Sequence, residues 1–145
     1  MAEKLIFVKG EEFIKKIISG ERNFFNIELE EGFDLCGHEN FNEMQDCLKN
    51  GDLKNSPLIL NGSKLRNLDA DGIYLSFLEA KNVNMKHTAL MGADLSKSCF
   101  ENADMRYVRL SFAKLTDANF KNADFRLADL NMVSLKGALV TVTNF

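Results

Sequence analysis

Four basic residues recur at intervals of twenty: Arg66, Lys86, Arg106 and Arg126. If residues twenty apart stack, they form a positive column suited to phosphate groups, with Tyr107 beside it as a stacking surface. Like charges at one spacing repel, and Asp104 and Asp124 lie close enough in sequence to offset two of them. Cys36, His38 and Cys47 are metal-ligand types, but a closed site wants four ligands and no fourth Cys or His lies near. No metal and no cofactor is therefore expected. His38 and His87 are the only histidines, and neither stands in a Ser-His-Asp or Cys-His arrangement. No Gly-rich phosphate loop appears. Asp94, Asp104, Asp124 and Asp129 invite an acid–base reading. Each precedes a regularly spaced apolar residue, so a turn-capping role explains them better. The expectation is a protein that is not an enzyme.

What would place these residues is a repeat of five. From Leu60 to Phe145 every fifth residue is apolar, and a second column, Leu58 to Thr143, lies two residues earlier. Successive fifth positions step round a helix by 140° and alternate faces on a strand, so neither element alone fits. One short extended side plus one corner does fit. Residues two apart point inward, the residue between them points out, and four sides close a coil that stacks on the next. The two columns hold 36 residues and none is charged, although 27% of the chain is. Chance would give that roughly once in a hundred thousand, so these positions read as buried. Gly62, Gly72, Gly92 and Gly137 share one corner position with Asn67, Asn82, Asn102 and Asn122. A type II turn requires positive φ there. The single proline, Pro57, lies just outside the array.

Ala93-Asp94-Leu95, Ala103-Asp104-Met105, Ala118-Asn119-Phe120, Ala123-Asp124-Phe125 and Ala128-Asp129-Leu130 open units that resemble the A(D/N)LXX unit of pentapeptide-repeat proteins. The resemblance covers about three fifths of the chain in one register. It implies an all-β fold, a right-handed quadrilateral parallel β-helix with a solid interior. Some family members are thought to inhibit DNA gyrase by mimicking duplex DNA as an acidic rod. Residues 61–145 carry 11 basic and 9 acidic side chains, which argues against that alternative.

Three segments follow along the 145 residues of the single domain. Residues 1–21 read as a strand at Leu5–Val8 and a short capping helix at Glu11–Ser19, with Phe13, Ile14, Ile17 and Ile18 on one face. That helix is too short to stand alone and must dock over the first coil. Residues 22–57 read as degenerate first coils with an insertion. Residues 58–145 are the regular solenoid. No apolar run reaches the roughly 18 residues of a membrane span, and no secretory signal is visible. The odd count of three cysteines, Cys36, Cys47 and Cys99, fits reduced thiols in a cytoplasm.

The expected role is a non-catalytic scaffold or protein-interaction module, its partner a protein rather than nucleic acid or membrane. Met91, Phe112 and Met132 fall together as an apolar interaction face. At the C-terminal end, Leu139, Val140, Val142 and Phe145 leave an apolar edge, where two copies would meet across a two-fold as a homodimer.

Overall fold

The computed structural model describes residues 4–145. They form a right-handed quadrilateral β-helix closed at its N-terminal end by a strand and a helix. From residue 58 each pentad repeats one unit: inward residue, bridged outward residue, inward residue, two-residue turn. Bridges join residues twenty apart without a break from Ile59–Glu79 to Asp124–Asn144. Four pentads therefore make a coil, in the register the spacing predicts. The second turn residue has positive φ at every corner from Gly62 (71°) to Val142 (56°). Phe112, Leu127, Met132 and Val142 adopt this geometry too, although it disfavours L side chains by about 1–2 kcal/mol. Ladder bonds hold it in place, as where Tyr107 N–H meets Arg126 O at 3.2 Å and Phe112 N–H meets Asn131 O at 2.9 Å.

The interior side chains stack coil on coil. Phe100 and Phe120 lie parallel with centroids 5.3 Å apart, and Phe120 meets Phe125 edge-on at 5.0 Å. Hydroxyls in the first column are satisfied by the coil below: Ser63 donates to Phe24 O at 3.0 Å, Thr88 to Leu65 O at 2.7 Å and Ser98 to Leu75 O at 3.2 Å. This lets polar residues occupy a buried column at little cost.

β1 (Ile6–Val8) pairs in parallel with β2 (Ile27–Leu29), and α1 (Gly10–Ile18) lies between them in sequence. Phe13, Ile14 and Ile17 of α1 are buried, and Phe13 meets Phe24 of the first coil edge-on at 4.9 Å. Gly10 starts the helix because a β-carbon there would strike the Phe33 ring. Its N–H donates to the Glu30 carboxylate at 3.0 Å, and Arg22 closes the other end by donating to Ile17 O at 2.9 Å.

Residues 22–57 differ from the expected degenerate coils. They hold three sides of one coil, bridged at Asn23–Ile59, Glu28–Lys64 and Asp34–Asp69, and then α2 (Phe41–Asn50). The six-residue step from Leu29 to Leu35 is a widened corner at Glu30–Gly32. α2 stands where the fourth side would run. Its Gln45 side chain supplies the acceptor a coil below would give: Oε1 accepts from Tyr74 N–H at 2.9 Å, and Nε2 donates to Gly72 O at 3.0 Å. Met44 and Leu48, one turn apart, are fully buried beside it. The signal was present as Phe41, Met44 and Leu48 at helical spacing, between Asn40 and Gly51.

Candidate interaction surfaces

The coil register stacks Arg66, Lys86, Arg106 and Arg126 along one corner, since each is the first turn residue of its pentad. They are not equivalent. Arg106 grips Asp104 through Nε and Nη2 at 2.9 and 2.7 Å, and Arg126 grips Asp124 at the same two distances. Arg106 Nε also lies 3.8 Å from Asp124. In each case an outward carboxylate sits two residues before the guanidinium, and such forks are the strong form of the ion pair. The hydrogen-bonded guanidinium holds the Asp104 and Asp124 carboxyls below their ordinary range. Their contribution is therefore present at neutral pH and is lost as pH falls through those lowered values.

Lower on the column the residues two before are Lys64 and Asn84, so Arg66 and Lys86 gain no such partner. Lys86 Nζ instead sits 5.6 Å from the Tyr107 ring centroid, and Tyr107 stacks on His87 at 4.5 Å. Arg66 Nε is buried without a hydrogen-bond partner among the described residues. The continuous cationic column thus divides into a neutralised upper half and a cationic lower half. A shallow groove of about 390 Å³ runs beside the upper half, lined by Lys86, Arg106, Tyr107, Arg126, Leu127 and Phe145.

Asp94, Asp104, Asp124 and Asp129 accept the N–H two residues on, from Ser96, Arg106, Arg126 and Asn131, at 3.1 to 3.3 Å. Their work is to cap turns. His38 Nδ1 accepts from Asn40 N–H at 3.1 Å, and among the described residues neither histidine bonds a Ser or Cys.

Cys36, His38 and Cys47 do not come together as ligands. Cys47 rides on α2, 3.9 Å from Ile18 O, and Cys36 turns to Asp34 and Asp69 at 3.6 and 3.3 Å. Burial pushes the Cys36 thiol up to about 12, and the two carboxylates add to the effect. Cys36 is therefore expected to react slowest of the three cysteines with a disulfide reagent at pH 8. The unfolded chain ionises first, so Cys36 should draw stability down as pH rises from about 8.5, the ordinary thiol value. A Cys36→Ser variant, in urea melts at pH 7 and pH 10, should lose less stability over that interval than the wild type.

Met91, Phe112 and Met132 are all exposed along the next corner. Leu127, beside Tyr107's column at the adjacent corner, is 73% exposed as well. At the C-terminal coil, Leu139, Val140, Val142 and Phe145 are exposed as well. Phe145 is 62% exposed, while Phe125, stacked against it at 5.8 Å, is 3% exposed. No helix among the described residues is long and apolar enough to cross a membrane.

These observations define a β-helical solenoid repeat protein. Residues 71–106 and 103–141 match the pentapeptide-repeat family with 8 copies. The chain belongs to that family. Among solved structures it is similar to a pentapeptide-repeat protein, Rfr23, from the cyanobacterium Cyanothece 51142, at 21% identity and TM-score 0.57, over 92% of this chain and 97% of that one. HetL from Nostoc sp. strain PCC 7120, involved in heterocyst differentiation regulation, matches at 20% identity and TM-score 0.41, over 57% of this chain and 44% of that one. QnrB1, a plasmid-mediated fluoroquinolone resistance protein, matches at 19% identity and TM-score 0.34, over 55% and 47%. These likenesses concern the fold. No curated protein sequence matches the chain.

Proposed function

We propose that this protein is a non-catalytic protein-interaction module of the cytoplasm, with the corner that carries Met91, Phe112 and Met132 as its main contact surface. One observation carries the reading: large apolar side chains stand in solvent along one corner, where Phe112 is 62% and Met132, one coil on, 76% exposed. Open apolar surface of this kind marks contact sites. Free thiols at Cys36, Cys47 and Cys99 support a reducing compartment. The carboxylates on Arg106 and Arg126 count against nucleic acid as the partner. A DNA-mimicking gyrase inhibitor would need an acidic rod, which the array is not.

The test is affinity capture from the source cell, comparing the wild type with Phe112→Lys combined with Met132→Lys. Proteins captured by the wild type should be lost from the double variant. If every captured protein persists, this corner is not the surface.

A further inference from the structure

We infer that the corner carrying Met91, Phe112 and Met132 docks a basic amphipathic helix of a partner protein. The inference rests on that corner being the contact surface and adds the chemistry of what it binds.

The apolar part is held at a conformational cost. Phe112 and Met132 stand at second turn positions with φ of 63° and 56°, where other corners carry Asn67, Asn82, Asn102 and Asn122. Asn and Gly fit that geometry with less strain, yet the Phe112 ring is mostly in solvent. Strain combined with exposed apolar surface points to a partner. Beneath Phe112 the same turn position is held by Gly92 and then Gly72, where an added β-carbon would meet nothing within 4 Å. The ring therefore overhangs a strip of bare backbone, with Met91 next to Gly92. A partner side chain can seat in that step, and the thioether adapts to its shape.

The foot of the same corner is acidic. Asp71 lies one coil below Met91, whose N–H it accepts at 2.7 Å. Asp69 stacks on Asp34 on the preceding side. The start of α2 lies beneath, since Gln45 reaches Gly72 O at 3.0 Å, and Glu39, Glu43 and Asp46 are exposed around it. Residues 30–50 carry 6 acidic side chains and 1 basic one. Asp34, Glu39, Glu43, Asp46 and Asp69 make no ion pair within 4.0 Å among the described residues. Two basic side chains flank the ring, but Arg109 is taken up by Asp71 at 3.6 Å, and Lys114 lies on the next side in line with Asp94. An apolar strip that ends in unpaired carboxylates attracts apolar segments bearing Lys or Arg and repels acidic ones.

Spacing selects a helix. Side chains along the corner repeat at the coil spacing of about 4.8 Å, whereas one face of a strand repeats at about 6.7 Å. A helix laid along the corner repeats every 5.4 Å or so. Over two coils the helix drifts by about 1 Å and the strand by about 4 Å.

The probe is a fluorescent synthetic helix of about 18 residues, long enough to span the strip and the foot, with leucine on one face and lysine on the other. The control carries glutamate for lysine. Binding to the full chain is read by anisotropy up to about 100 μM protein. The lysine helix should bind at least about tenfold more tightly than the glutamate helix, the sum of a few exposed charge pairs. Its binding should weaken between about 50 mM and about 500 mM salt. Phe112→Asn places at this turn the residue that serves at others, so it should melt no lower than the wild type. It should nonetheless bind the lysine helix at least about tenfold more weakly. Glu39→Gln, Glu43→Gln and Asp46→Asn together should cut the preference for lysine to about threefold or less. A glutamate helix that binds as tightly as the lysine one overturns the basic partner, and its loss in Phe112→Asn would keep the corner as the contact surface. No binding of either helix, or binding untouched by Phe112→Asn, overturns the inference and leaves the corner to the capture experiment. Sedimentation of the chain alone tests the other occupant. A mass of twice 16.4 kDa that Phe112→Asn returns to one copy makes a second copy the occupant, and overturns the inference as well.

Discussion

Phe120→Asp is expected to unfold the rod at ordinary temperature, while Lys121→Asp, one residue on, is expected to change stability by less than about 0.5 kcal/mol. Phe120 is fully buried between Phe100 and Phe125. A carboxylate there meets stacked rings and no donor, so it must either stay charged without a partner or bind a proton. Losing the ring adds about 3–5 kcal/mol on the scale of Phe→Ala truncations, against a total of about 5–15 kcal/mol for an ordinary domain. Lys121 is exposed at a turn and makes no ion pair within 4.0 Å among the described residues. Urea melts of the two variants measure the contrast, and equal losses would contradict the inward–outward frame.

Gln45→Ala is expected to destabilise the protein by about 1–3 kcal/mol, because it leaves the Tyr74 N–H without its acceptor. Tyr74 N–H has the Gln45 amide oxygen where the outward residues of higher coils have a carbonyl of the coil below, as Asp94 N–H has Ile73 O, and Gly72 O, at an exposed turn, takes the amide nitrogen. Gln45→Met keeps the length but not the amide, and should lose a similar amount. Gln45→Glu keeps an acceptor for Tyr74 but turns an oxygen on Gly72 O. Its deficit should shrink as pH falls through the carboxyl range, where protonation restores a donor. Losses below about 0.5 kcal/mol for both Ala and Met would mean that α2 is held by Met44 and Leu48 alone.

The two variants test parts of the chain that differ in how plainly the sequence announces them. Phe120 belongs to a column of period five, so its burial can be read from spacing. Gln45 belongs to a unique insertion, where one side-chain oxygen stands in for a backbone carbonyl. The same contrast runs through the surfaces. The columns of Arg66 to Arg126 and of Met91 to Met132 were placed by counting in twenties. The bidentate forks of Arg106 and Arg126, and their absence at Arg66 and Lys86, depend on side-chain reach between neighbouring positions. The clue was available, since Asp stands two before each paired arginine while Lys64 and Asn84 stand two before the others. Cys36 was grouped with His38 and Cys47 by nearness in sequence. Its actual neighbour Asp69 lies 33 residues on, across a stacking contact that the insertion shifts out of the regular count.

The sequence by itself determined the coil, the inward columns, the turn geometry and the residues that share each corner. The reason is physical: a period of five with uncharged columns can be buried in only one repeating way, and each unit repeats the constraint. Only the tertiary structure decided how the first coil is completed, which charges are neutralised and where the thiols sit. Those features depend on single contacts and on side-chain reach between neighbouring positions, so the period of five does not mark them in advance.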